Sequence, residues 1–445
     1  MLSPTLTTSN LIIARPVRIE LRKCFRLRGA LLPLTDCPRN AGKWSPFGII
    51  FAGKPGFSSC AIVALQRDRP QRQTQMIQRR KLLQRMTAGL LAVPLADLAA
   101  SPSRTLYAEP CLRLDRNENA YGPSPQAIAA IREHASSANR FPKGTDSLRQ
   151  ALATFHGIPL GEILPSAGTD EILRMSVAVF LGPKRKLVMA TPSYDAIATY
   201  ARFAGSEVVS VPLRKDHGHD LDEMLASVDK NTGVVYVCNP NNPTGTLTDR
   251  RNLEKFIRAL PESVLLIVDE AYCEYVGGSQ AYATAMVHRT QRENLVVTRT
   301  FSKVYGLAGI RLGFAVGSQS VLNRLAAQKL ILGISELALA AGIAALRDRS
   351  HVARCIRQNQ DDRQEFINQV NARMLRVLDS HTNFACLNVM RPSQEIIKHY
   401  EKNDVVLAGQ IPGMPTYVRV SLAPPGDMAE FWRVWDMLGS HPMTM

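Results

Sequence analysis

Val264-Leu265-Leu266-Ile267-Val268-Asp269-Glu270-Ala271-Tyr272 runs five apolar residues without a break into an acid. So short and continuous an apolar run suits a strand buried on both faces, and such strands belong to parallel sheets covered by helices. An acid at its end lies on the carboxyl edge, where open α/β sheets bind their ligands. The same pattern recurs on either side. Candidate strands are Lys186–Ala190, Glu207–Val211, Val234–Cys238, Leu295–Arg299 and Phe314–Val316, with a strand-like Ile163-Leu164 before them. Amphipathic stretches lie between: Asp170–Leu181, Ala196–Ala204, Asp249–Leu260 and Val321–Leu332. This alternation predicts an α/β protein whose large domain has a mostly parallel central sheet flanked by helices. After about residue 345 a long charged helix near Ser350–Val370 leads into short strands near Phe384–Val389 and Val418–Leu422, a smaller α+β domain. The expected division is an N-terminal arm and start of the small domain over 105–140, a large domain over 141–345 and a small C-terminal domain over 346–445.

Residues with chemistry cluster just beyond the apolar runs. Thr298-Arg299-Thr300-Phe301-Ser302-Lys303 puts a lysine on a loop after a strand, placed to form an imine once burial or nearby cations remove its proton. Thr300, Ser302 and Arg311 suit a phosphate beside it. Asp269 at its strand end is placed to hold a pyridine nitrogen protonated, with Tyr272 three residues on, within reach of a ring oxygen. Cys238-Asn239-Pro240-Asn241-Asn242-Pro243-Thr244-Gly245 is a rigid turn presenting a side-chain amide. Ser166-Ala167-Gly168-Thr169-Asp170-Glu171 sets a glycine before a helix N-terminus, where backbone N–H groups bind anions. Thr191-Pro192-Ser193-Tyr194 offers an aromatic ring. Singly, each is a common turn, cap or surface pattern; their joint order along one sheet edge is the signal.

In that order the chain resembles the fold-type I, pyridoxal-5′-phosphate (PLP)-dependent class I/II aminotransferases, and within them the histidinol-phosphate aminotransferases. The resemblance runs from about Leu112 to Leu438. It is carried by Asn117–Pro123, Asn139-Arg140-Phe141-Pro142, Gly168–Glu171, Asn241–Gly245, Asp269–Tyr272, Phe301–Lys303 with Gly309-Ile310-Arg311, and Tyr417-Val418-Arg419. It implies that Lys303 holds PLP as a Schiff base and shuttles the proton. It implies that Asp269 pairs with the pyridine nitrogen, that Asn242 and Tyr272 meet the ring oxygen, and that Tyr194 stacks on the ring. Gly168, Thr169, Asp170, Thr300, Ser302 and Arg311 would form a phosphate cup. Arg419 would fork onto the acidic end of the substrate, and Asn119 would lie in the arm that closes over it. The implied reaction moves an amino group from a small-molecule amino donor to a 2-oxo (keto) acid in two half-reactions, in a homodimer. Two alternatives share the chain: a decarboxylase on the same scaffold, and a non-catalytic exported binding protein, against which the Lys303–Asp269–Arg311 set stands. Two positions depart from the family. Phe141 stands where members commonly have a tyrosine whose hydroxyl reaches the neighbouring subunit's cofactor phosphate. Ala408 stands where histidinol-phosphate enzymes often have a second arginine for the substrate phosphate, so the expected substrate is an α-amino acid rather than histidinol phosphate.

Charge separates the leader from this body. Residues 1–104 hold 17 of the 54 basic and 4 of the 38 acidic residues, +13 of the net +16, leaving +3 for 105–445. Charge confined to one end marks a tail rather than a nucleic-acid-binding face, and no nucleic-acid partner is expected. The eight cysteines include no C-x-x-C pair, so neither a zinc site nor a disulfide framework is expected. Residues 1–75 mix Pro, Gly, Arg and short apolar runs and suggest no stable fold; Met76 is the expected true start, with 1–75 an over-extended leader. Arg79-Arg80-Lys81 before the apolar run Met86–Ala100, within 76–104, resembles a twin-arginine export signal. That run, broken by Pro94 and Asp97, is too short for a permanent span, so a periplasmic protein without stable membrane association is expected. A cytoplasmic enzyme with a disordered tail and an organellar transit peptide are the alternatives.

Overall fold

The structure is a computed structural model describing residues 111–439 and two short strands, β1 (Ile49–Ala52) and β2 (Ala61–Ala64). The chain divides into two compact units, Met1–Ser103 and Arg104–Met445. In the first, β1 and β2 pair antiparallel, Ile49 opposite Ala64. The twin-arginine segment of 76–104 lies outside the described residues, as does the leader before it apart from β1 and β2.

The second unit is built on a seven-stranded sheet. Its strands are β4 (Ile163–Ser166), β5 (Lys186–Thr191), β6 (Glu207–Pro212), β7 (Thr232–Cys238), β8 (Leu265–Asp269), β9 (Leu295–Thr300) and β10 (Gly313–Gly317). Their order is β4-β10-β9-β8-β7-β5-β6. All pairings are parallel except those of β10, which runs antiparallel to both β4 and β9. The expected α/β class with a mostly parallel sheet is the observed one. Alternation explains how both faces are covered. Val235, Val237, Leu266 and Val268 pack into one apolar layer, and Val234, Tyr236, Leu265 and Ile267 into the other. Asp269 is polar, yet it completes the fully buried strand β8, because the site lies just beyond it.

Two short strands, β3 (Leu112–Leu114) and β13 (Val405–Leu407), pair in parallel. They share a third apolar cluster with a sheet of β11 (Arg376–Val377), β12 (Phe384–Asn388) and β14 (Tyr417–Ser421). The N-terminal segment thus packs with the C-terminal region. The long charged helix expected near Ser350–Val370 is Arg349–Ala372. One expected helix ends early: Val321–Leu332 is read as continuous, but the helix is Gln319–Ala326. The buried Glu171 carboxylate accepts the backbone N–H of Leu330 at 3.1 Å, taking it outside the helical pattern. The apolar Leu330, Ile331 and Leu332 are left exposed. Cys238, Cys273, Cys355 and Cys386 are free thiols. Among the described residues no helix is long and apolar enough to cross a membrane.

Candidate active site

The motif residues that follow β4, β5, β7, β8 and β9 lie at or just past those strands' carboxyl ends, which parallel strands deliver to one side, and Arg311 joins them from the amino end of the antiparallel β10. β8 ends at Asp269, and in register its neighbour β9 carries Thr298 opposite it. Asp269 is 2% exposed. It accepts hydrogen bonds from the Tyr236 hydroxyl (2.9 Å) and the Ala271 N–H (3.2 Å). Both donors are neutral, and no cation ion-pairs with Asp269 among the described residues. Burial therefore raises its pKa above the usual carboxylate range. A buried carboxylate held only by neutral donors is half of an ion pair.

Three residues past β9, Lys303 Nζ donates to the carbonyls of Arg116 (3.2 Å) and Asn117 (3.0 Å) and lies 5.3 Å from the centre of the Tyr272 ring. Burial first, and the Arg419 guanidinium second, pull its pKa down from 10.5 to about 8. An amine so poised is neutral often enough to act as a nucleophile. Capture of PLP by the apoenzyme should therefore accelerate as pH rises through about 8. Removing a neighbouring cation relieves the ammonium form, so in Arg419→Gln the midpoint should move upward. Stopped-flow absorbance across pH measures this, and an unmoved midpoint would deny Arg419 its influence on the lysine.

At the other end of the site, Gly168 caps the helix Thr169–Phe180 with φ +77° and no side-chain cap, leaving that helix's first N–H groups for an anion. A Cβ on Gly168 would lie 2.6 Å from Arg311 Nη2, so only glycine permits this approach. Arg311, itself at φ +59°, donates to Asp170 (3.0 Å) and, weakly, to Ser302 Oγ (3.5 Å). The Tyr194 hydroxyl donates to the other Asp170 oxygen at 2.9 Å. Thr300 Oγ1 accepts the Ser302 N–H. Gly168, Thr169, Asp170, Tyr194, Thr300, Ser302 and Arg311 thus come together, with Asp170 tying the arginine to the tyrosine through its side chain.

Arg419, on β14, donates to Asn242 Oδ1 at 2.6 Å and to the Asp115 carbonyl. Its buried Nε has no partner among the described residues. Asn242 keeps its amide N–H₂ as a donor, since its oxygen is engaged. Asn117 Nδ2 donates to the Tyr272 hydroxyl at 3.1 Å, leaving that hydroxyl's own proton to offer. Burial raises the Tyr272 pKa and keeps the proton in place. Asn119 is placed differently. Its amide donates to the Val304 carbonyl (2.8 Å) and accepts the Tyr121 N–H (3.0 Å), tying the N-terminal arm to the lysine loop.

Sequence reasoning gave no role to Tyr236 or Asn117. Tyr236 looks like core inside a buried strand. Asn117 lies within a quoted motif, yet its position at φ +52°, braced by Ser421, is a long-range arrangement. Tyr194, Asn242, Arg419 and Ala408 line a cavity of about 330 Å³.

An uncapped helix N-terminus beside an arginine, an amine, and a buried carboxylate awaiting a cation match the phosphate, aldehyde and pyridine nitrogen of PLP. The donor set fits that cofactor. The family described as Aminotransferase class I and II matches residues 109–435. The chain belongs to that family. The histidinol-phosphate aminotransferase of Shouchella clausii is 35% identical to this aminotransferase over 316 residues, 71% of this chain and 85% of the relative. That of Bacillus subtilis is 34% identical over 313 residues, 70% and 87% of the two chains. Among solved structures, the histidinol-phosphate aminotransferase of Sinorhizobium meliloti in complex with pyridoxal-5′-phosphate superposes with a TM-score of 0.70 at 26% identity, over 80% of this chain and all of that one. The L-threonine-O-3-phosphate decarboxylase of Porphyromonas gingivalis shares the fold, at a TM-score of 0.64 and 23% identity. This enzyme is a fold-type I transaminase.

Proposed function

We propose that this aminotransferase transfers an amino group between an α-amino acid and a 2-oxo acid with PLP as cofactor, Lys303 and Asp269 doing the central work. The observation that carries this reading is a lysine with a lowered pKa and a buried, cation-free carboxylate at the ends of adjacent strands. When bound, the cofactor withdraws electrons from the substrate α-carbon. Lys303 Nζ would move the proton between the substrate α-carbon and the cofactor C4′. Asp269 holds the ring nitrogen protonated. Tyr272 and Asn242 donate to the ring oxygen, and Tyr194 covers the ring. Arg311, Ser302, Thr300 and the N–H groups after Gly168 hold the phosphate. Arg419 takes the substrate carboxylate, which its unpaired Nε favours. Asn119 fixes the arm that covers the substrate.

Ala408 and Arg419 line one cavity, which supports reading Ala408 as the place of the missing second arginine. A charge-assisted bond to phosphate is worth about 1.5–3 kcal/mol, so its absence should lower affinity for a phosphate dianion about tenfold or more. A panel of donors and oxo acids should therefore give a higher kcat/KM for an α-amino acid than for histidinol phosphate, with Ala408→Arg narrowing the gap. Preference for histidinol phosphate would reverse the substrate assignment, and release of carbon dioxide in place of an oxo acid would favour decarboxylation.

The homodimer is part of the same proposal, supported by the exposed Phe141 and Ile331, at 82% and 95%. So is periplasmic localisation through Arg79-Arg80. A chain starting at Met76, fused to a reporter that folds before export, should reach the periplasm. Replacing both arginines with lysine should retain it in the cytoplasm; equal export of both forms would remove the targeting role.

A further inference from the structure

The cavity beside Arg419 has a second arginine on its wall, outside every motif that marks the cofactor site. The helix Ala196–Phe203 begins two residues after Tyr194. Tyr194, Ala198 and Arg202 all line the cavity, and four-residue spacing puts Ala198 and Arg202 on one helix face. Helical side chains lean toward the helix N-terminus, which directs Arg202 back along the wall toward Ala198. The small side chain of Ala198 leaves that space open. Arg202 is exposed, and among the described residues its side chain has no hydrogen bond or ion pair. Other arginines among the described residues are engaged: Arg311 with Asp170, Arg299 with Glu270, Arg373 with Asp436.

The rest of the lining sets what Arg202 can select. The segment Ala408–Pro412 is uncharged, with Gln410 as a hydrogen-bonding side chain, and Ser210 adds a hydroxyl. The one acid on the wall, Asp195, is the N-cap of the helix that carries Arg202. It therefore stands about two turns from the arginine. The cavity thus has a cation at the carboxylate-binding end, Arg419, and an unpaired cation elsewhere on its wall.

We propose that Arg202 makes this enzyme select substrates with a second anion, a carboxylate or phosphate ester, at the end remote from the transferred amine. Arg419 binds the α-carboxylate and Arg202 the distal anion. This rests on the aminotransferase reading of the site and names its substrate class. Ala408 places no cation on this wall and Arg202 supplies one, so the preferred anion moves from the family's position to the side-chain terminus.

The test compares matched pairs on the holoenzyme. Glutamate against glutamine and O-phosphoserine against serine are compared as donors by kcat/KM. Glutarate against butyrate is compared by titration of the cofactor absorbance, which needs no turnover. The wild type should favour the anionic member of at least one donor pair by about tenfold or more, about 1.4 kcal/mol, and bind glutarate more tightly than butyrate. Arg202→Gln should bring both preferences close to unity while leaving glutamine, serine and butyrate unchanged; Arg202→Lys should keep part of each. A loss confined to the glutamate pair identifies a carboxylate, and one confined to the phosphoserine pair a phosphate. Equal effects of Arg202→Gln on charged and neutral members would overturn the proposal, as would a wild-type preference for neutral or basic donors. If no donor turns over while glutarate binding still depends on Arg202, the anion site stands and transamination is what fails.

Discussion

Lys303→Ala should leave the protein folded and able to hold PLP, but without the visible band of a lysine-bound cofactor. After borohydride treatment and denaturation the wild type should retain the cofactor covalently and the variant should release it. Turnover should fall about 10²–10⁴-fold from the lost proton transfer alone. The geometry confines the effect to chemistry. Nζ bonds two backbone carbonyls, of Arg116 and Asn117. Asn117 stays anchored without it, through Ser421 and Asn383. The phosphate cup rests on Gly168, Arg311 and Asp170, which the substitution does not touch. A reducible adduct at wild-type level in the variant would place the attachment on another residue.

Asp269→Asn separates function from stability. Asparagine has nearly the same shape and its Oδ1 can still accept from Tyr236, but its N–H₂ then replaces the oxygen that accepts the Ala271 N–H. Burial raises the Asp269 pKa in the folded state, so above that value its ionised form weighs against folding. Replacing it with a neutral amide removes that burden while losing the acceptor for the Ala271 N–H, two opposed effects of similar size, so the apoenzyme should melt close to the wild type at neutral pH. Turnover should fall roughly ten- to hundredfold, since a bond to a charged group is worth about 1.5–3 kcal/mol and here acts on the reacting state. PLP should still bind through its phosphate. Near-normal turnover would refute the pairing of Asp269 with the ring nitrogen, whatever the melting temperature.

Much of the site was legible because parallel sheets impose a rule on sequence. An apolar run sets the strand, and the polar residue that ends it lies on the ligand side. Asp269, Asn242, Tyr194 and Lys303 all follow short buried runs, and Gly168 precedes a helix, so local pattern places each of them. The same locality explains the misreadings. Leu330 to Leu332 continue an apolar helical pattern in sequence, but Glu171, 159 positions away, takes the Leu330 N–H. Leu112–Leu114 is too short to read as a strand by itself and exists by pairing with Val405–Leu407.

By itself the sequence determined the α/β class, the strand-end acid and lysine, the glycine before the phosphate helix and the family. These depend on periodicity and on residues close together along the chain, where hydrogen-bonding and burial preferences act locally. Only the tertiary structure decided what each group meets: Tyr236 on Asp269, Asn117 between Lys303 and Tyr272, Arg419 on Asn242, and Arg202 on the cavity wall. Those contacts join segments far apart in sequence. Lysine acidity, the donors left for a ring oxygen and the cation facing a substrate arise from distances and burial that no single segment contains.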